Sequence, residues 1–109
     1  MNTKIEYMLR DADNFKFDYA VVLKGKLTKE EKKILPKNGM DFIPSEVGLP
    51  NLLPDDPDPE RDGIIHELLA IEDTDAEPDF PRTAKRFIKM LKKAPFNVEK
   101  ATKELFGDE

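Results

Sequence analysis

The chain contains one histidine, His66, one serine, Ser45, and no cysteine. That inventory narrows the available chemistry before any fold is considered. Without cysteine there is no thiolate nucleophile, no thiolate metal ligand and no disulfide. Ser45, His66 and a carboxylate are the residue types of a hydrolytic triad. Ser45, however, lies in Pro44-Ser45-Glu46, not in the strained Gly-x-Ser-x-Gly turn that exposes a nucleophilic hydroxyl. A hydrogen bond from Ser45 within its own loop is the simpler expectation.

Carboxylates are the abundant reactive groups. Asp58-x-Glu60-x-Asp62-Gly63 resembles the opening of a calcium loop, where oxygen ligands alternate and a glycine permits the sharp turn. The twelfth position of that loop is Leu69, where a bidentate glutamate is needed, and Pro50, Pro54 and Pro57 leave no entering helix. One histidine without cysteine also makes a poor transition-metal site. The sequence reading therefore expects no cofactor and no metal. The glycines are scattered, so no phosphate-cradling loop is present either.

Charge is the stronger signal. The net charge of −5 conceals a balance of +3 over residues 1–40, −12 over 41–80 and +4 over 81–109. Acidic blocks repel nucleic acid and anionic membranes and attract basic protein surfaces. The expected contact set is Asp55, Asp56, Asp58, Glu60, Asp62, Glu72, Asp73, Asp75, Glu77 and Asp79. Arg82, Lys85, Arg86, Lys89, Lys92 and Lys93 form a basic helix face, but no aromatics interleave with them for base stacking. The sequence thus argues against direct nucleic-acid binding.

The elements that must position these groups are legible to differing degrees. Ile5, Tyr7 and Leu9 alternate with polar neighbours, and Phe15, Phe17, Tyr19, Val21 and Leu23 repeat the pattern after Asp11-Ala12-Asp13-Asn14. That spacing predicts a β-hairpin over residues 3–24 with one aromatic-rich face. Thr28-Lys29-Glu30-Glu31 fits a capping box opening a short helix over 28–35, which Pro36 ends. Residues 36–80 form a proline-rich acidic middle, with a short strand expected at Phe42-Ile43 and then an ordered loop.

The run from Ile64 to Glu72 reads as strand or helix. As a strand it places Ile65, Glu67, Leu69 and Ile71 on one face and Ile64, His66, Leu68 and Ala70 on the other; a strand completing the sheet is the reading adopted. Ala84, Phe87, Ile88 and Leu91 predict an amphipathic helix, with Asp79 as its cap and Pro81 in its first turn. Pro95 breaks it, and Asn97 caps a second helix striped by Val98, Ala101, Leu105 and Phe106, stopped by Gly107.

Ile5-Glu6-Tyr7 with Arg10-Asp11-Ala12, the central Phe42-Ile43-Pro44-Ser45-Glu46-Val47-Gly48-Leu49-Pro50, and His66-Glu67-Leu68 resemble a group of small bacterial proteins with no established activity. The resemblance covers roughly residues 4–72 and implies the order hairpin, short helix, proline-rich loop and a segment ending in His-Glu-Leu. Many members carry Trp where this chain has Ile65.

The expectation is one α+β domain over residues 1–109: an antiparallel sheet of three to four strands packed against C-terminal helices from 81–106. No apolar run approaches the ~20 residues that span a bilayer, and the start Met1-Asn2-Thr3-Lys4 does not read as a signal peptide, so a cytoplasmic setting is expected. The expected function is a non-enzymatic protein-binding domain acting through its acidic surface on a basic partner. Its most specific form is a phage-type inhibitor of a host nucleic-acid-handling complex such as a defence nuclease, by analogy of charge and size. The alternatives are a metal-dependent or acid–base enzyme built on His66 and nearby carboxylates, and a housekeeping interaction module.

Overall fold

The structure, a computed structural model, describes residues 1–10, 16–52 and 64–106. Two long strands, β1 (Asn2–Arg10) and β2 (Lys16–Leu23), pair antiparallel with Ile5 opposite Val21 and Tyr7 opposite Tyr19. The strands continue into α1 (Lys29–Lys32), β3 (Met40–Phe42), a 3-10 turn (Pro44–Val47), β4 (His66–Thr74), α2 (Ala84–Lys93) and α3 (Val98–Phe106). The sheet order is β2-β1-β4-β3, and every pairing is antiparallel. This is an α+β fold, a four-stranded antiparallel sheet with α2 packed on one of its faces.

The period-two pattern sends Thr3, Ile5, Tyr7 and Leu9 of β1 and Val21 and Leu23 of β2 into the core, all at most 1% exposed. Phe42, Leu68 and Ile71 extend that inner face, and α2 covers it with Ala84, Phe87, Ile88 and Leu91. Phe17 and Tyr19 share the inner face but lie nearer the hairpin tip and stay 39% and 41% exposed. The aromatic face is therefore covered over only part of its length.

Residues 66–74 are strand, with a break in the expected alternation. Glu6 pairs with Ala70 but Tyr7 pairs with Leu68, leaving Leu69 as the extra residue of a β-bulge. His66 and Leu68 point inward before the bulge and Ile71 after it, while Leu69 is exposed. A single inserted residue flips the face of everything that follows, because strand side chains alternate with a period of two. Unbroken alternation would have put Ile71 outside.

The Thr28 capping box forms as expected, Thr28 Oγ1 accepting from Glu31 N at 3.1 Å and Glu31 Oε1 accepting from Thr28 N at 2.9 Å. Asp79 does not cap α2. Thr83 does, its hydroxyl accepting from Arg86 N, so Pro81 precedes the helix. Asp79 instead closes the open edge of β2: Val22 N donates to its carboxylate at 2.7 Å and its own amide donates to Val22 O. Ala84 N adds a bond to Lys24 O at 2.9 Å. The chain leaving β4 thereby satisfies edge groups that would otherwise invite further strands.

Helix α3 is capped by Asn97, whose Oδ1 accepts from Lys100 N. Both oxygens of Glu46 accept as well, from Phe96 N and Asn97 N at 3.0 and 2.9 Å. Of the expected stripe, Ala101 is buried against Ile43 and Ile64, but Val98 is 37% exposed. Gly107, as the expected stop, lies outside the described residues, as does the turn Asp11-Ala12-Asp13-Asn14.

Candidate functional site

His66 was the residue best suited to catalysis, and its surroundings define what it does. It is fully buried on β4, with the Tyr7 and Phe42 rings 6.1 and 6.4 Å away, centroid to centroid. Leu52 N donates to Nε2 at 3.0 Å, so Nε2 must carry a lone pair, and the proton sits on Nδ1, donating to Ile64 O at 2.9 Å. Burial is the main cause lowering its pKa below the ordinary 6.5, with the Ile64 bond opposing in part. A neutral imidazole with both nitrogens spent on backbone is a structural tie.

Tyr7 plays the companion role. Its hydroxyl donates to Pro50 O at 2.7 Å, and burial chiefly raises the phenol pKa, with Tyr19 adding to it. Proline leaves the segment around Pro50 short of amide donors, so it cannot join a ladder. Two side chains from the inner sheet face, Tyr7 and His66, pin it instead. Ser45 is exposed on the 3-10 turn, beside Glu46, Asn97 and Lys100, and makes no described bond to His66. No triad is assembled.

The expected acidic contact set divides. Asp55, Asp56, Asp58, Glu60 and Asp62, and with them the calcium-loop resemblance, lie outside the described residues. Glu72 is exposed on β4. Asp73, one position on, accepts from Lys32 at 3.2 Å on the opposite side of the strand. Asp75 and Glu77 are exposed in the connection that follows, and Asp79 is committed to β2. Of these five, Asp73 and Asp79 are engaged within the molecule, and Glu72, Asp75 and Glu77 are exposed. Among the described residues, no three His, Cys, Asp or Glu side chains could hold a metal ion together.

A different acidic surface does come together, on the sheet face turned away from α2. The register lines up Asp41 of β3, Glu67 of β4, Met8 of β1 and Asp18 of β2 in one row across the sheet. The next row holds Ala70, Glu6 and Ala20, with Leu69 bulged beside it, and the one after holds Glu72, Lys4 and Val22. Five carboxylates thus share a face that also carries Lys4, bonded to Glu6 at 2.9 Å, and on which the register places Arg10 opposite Lys16 in the row beyond Met8 and Asp18.

Asp41 and Glu67 stand directly opposite one another, an arrangement that costs stability when like charges face across strands. Met8 and Val22 are buried on this face, whereas Leu69 is 41% exposed and Asp18, Ala20, Asp41 and Glu72 are exposed. Glu6, Asp18, Ala20 and Leu69, together with Tyr7 and Tyr19 of the neighbouring phase, line a shallow depression of about 410 Å³. Such a surface can seat a basic side chain, its methylene stem along Leu69 and Ala20 and its head between carboxylates.

Sequence reading missed Glu6, Asp18, Asp41 and Glu67 because they are spread over four strands. The polar phase of the β1 and β2 alternation was the available signal, since it assigns Glu6 and Asp18 to one face. No family model, curated protein or solved structure matches this chain. Among the described residues, no helix is long and apolar enough to cross a membrane.

Proposed function

We propose that this chain is a non-enzymatic binding domain whose acidic outer sheet face takes a basic protein surface. The observation that carries the reading is the cross-strand clustering of Glu6, Asp18, Asp41, Glu67 and Glu72 around exposed Leu69. Like charges directly opposite one another in a sheet are a stability cost that a cationic ligand relieves. The apolar centre supplies the contact area that charge alone does not. Its specific form is an inhibitor, of phage type, occupying a basic groove of a host nucleic-acid-handling complex. The competing enzymatic reading built on His66 finds no support, because that ring is enclosed and both its nitrogens are taken by backbone.

The test titrates the labelled protein with a Lys/Arg-rich helical peptide while amide resonances are followed. Shifts confined to Glu6, Asp18, Asp41, Glu67, Leu69 and Glu72 are expected. The neutral triple variant Asp18→Asn, Asp41→Asn, Glu67→Gln should weaken binding at least tenfold, or about 1.4 kcal/mol. The double variant Asp75→Asn, Glu77→Gln should change it little. Shifts centred on the 75–79 connection, or affinity unchanged in the triple variant, would reject this surface. Capture from host lysate with wild-type and triple variant side by side then identifies the partner.

A further inference from the structure

The acidic sheet face has a counterpart on the opposite side of the same molecule. α2 buries Ala84, Phe87, Ile88 and Leu91 against the sheet, which turns Arg86, Lys89 and Lys93 outward along one stripe. All three are exposed, and none has a carboxylate within ion-pair distance among the described residues. Their neighbour Lys85 does have one, donating to Glu31 of α1. Together with Met90, Ala94 and Pro95 the three cations line a groove of about 300 Å³. Glu46 also borders it, but both its oxygens are already accepting from Phe96 N and Asn97 N. The groove therefore presents cations over an apolar floor, with Glu46 held at its border by two backbone amides.

We propose that this chain assembles head to tail with copies of itself, the Arg86–Lys89–Lys93 stripe of one protomer seated on the Asp41–Glu67–Glu72 face of the next. The charges are complementary in sign. Each surface also carries an apolar element, Met90 and Pro95 on one and Leu69 on the other. The two surfaces differ and lie on opposite layers, so the contact is heterologous and extends into a chain or closes into a ring. A basic partner at the sheet face would compete for the same carboxylates and cap the assembly. The inference uses the acidic face but stands whether or not such a partner exists.

Sedimentation velocity over a wide range of protein concentration tests it. At about 0.01 M ionic strength, where the Debye length is about 30 Å, species larger than the monomer should grow with concentration; at about 1 M, where it is about 3 Å, they should collapse to monomer. Lys89→Glu with Lys93→Glu should be monomeric, as should Glu67→Lys with Glu72→Lys. Mixing these two should restore assembly, because the intact sheet face of one takes the intact stripe of the other and their reversed surfaces are again opposite in sign. The neutral pair Lys89→Gln, Lys93→Gln should weaken assembly at least tenfold and guards against misfolding of the reversed chains.

A monomer at every concentration in low salt would overturn the proposal, and so would oligomers that survive in both reversed variants. A protein that stays monomeric while its groove binds a single-stranded oligonucleotide would overturn it too, in favour of a polyanion as occupant. Because Lys89→Glu with Lys93→Glu leaves the sheet face intact, peptide binding that persists in that variant separates failure here from failure of the basic-partner reading.

Discussion

Replacing His66 by leucine keeps the apolar bulk and removes two hydrogen-bonding nitrogens. Leu52 N, which is part-buried, and Ile64 O, which is buried, then lose their partner. An unsatisfied buried group costs about 1–3 kcal/mol, so the loss at Ile64 O alone should be about that much, with part-buried Leu52 N adding less. That is a large fraction of the stability of a domain this size. Titration sharpens the expectation. The folded-state pKa lies below the ordinary 6.5 because burial disfavours the imidazolium, so between those two values the unfolded chain binds a proton that the folded chain refuses. The contribution is complete above about pH 6.5 and is lost as pH falls, with a slope of at most about 1.4 kcal/mol per pH unit.

Urea melts of wild type and His66→Leu between about pH 5 and 8 measure both effects, and the difference between the two removes the carboxylates' own titration. Nitrogen-15 spectra near neutral pH should show the proton on Nδ1. An Nε2–H tautomer, a midpoint at the free-histidine value, or the same pH slope in both proteins would show that His66 is not a neutral backbone tie.

Tyr7→Phe removes the donor to Pro50 O while keeping the ring. It should cost about 1 kcal/mol in urea melts and speed hydrogen exchange at Leu52 without unfolding the sheet. Glu31 is held at a pKa of about 2, first by the Lys85 ammonium and then by the Thr28 amide. Its support is present above the ordinary 4.5 and fades as pH falls toward 2, so a carbon-13 titration should place its midpoint there, and Lys85→Ala should raise it. Gly48 has a left-handed φ of 74° with the Arg82 guanidinium packed where a Cβ would stand. Gly48→Ala should cost about 1–2 kcal/mol from the backbone alone, read as a lowered melting temperature, plus whatever displacing Arg82 adds. Gly39→Ala, whose Cβ would lie 2.8 Å from Leu68 O, should be destabilising in the same assay because a backbone carbonyl cannot step aside.

Local chemistry determined much of this protein. The alternation from Ile5 to Leu9 and from Phe17 to Leu23 is enough for a hairpin, the Thr28 and Glu31 pair for a cap, and the spacing of Ala84, Phe87, Ile88 and Leu91 for a helix that must pack on a sheet. Each depends on residues within a few positions of one another, so sequence order reports it directly.

What tertiary structure decided are the pairings between residues far apart. The bulge at Leu69 exists because β4 must bury both Leu68 and Ile71 against β1, a demand unbroken alternation cannot meet. Asp79 serves the β2 edge, leaving Thr83 to cap α2, because the chain passes Val22 on its way to the helix. His66 is a tie to backbone because Leu52 and Ile64 arrive from either side of it. Likewise Asp41 faces Glu67 only through register, which is set by what the other face of the sheet buries.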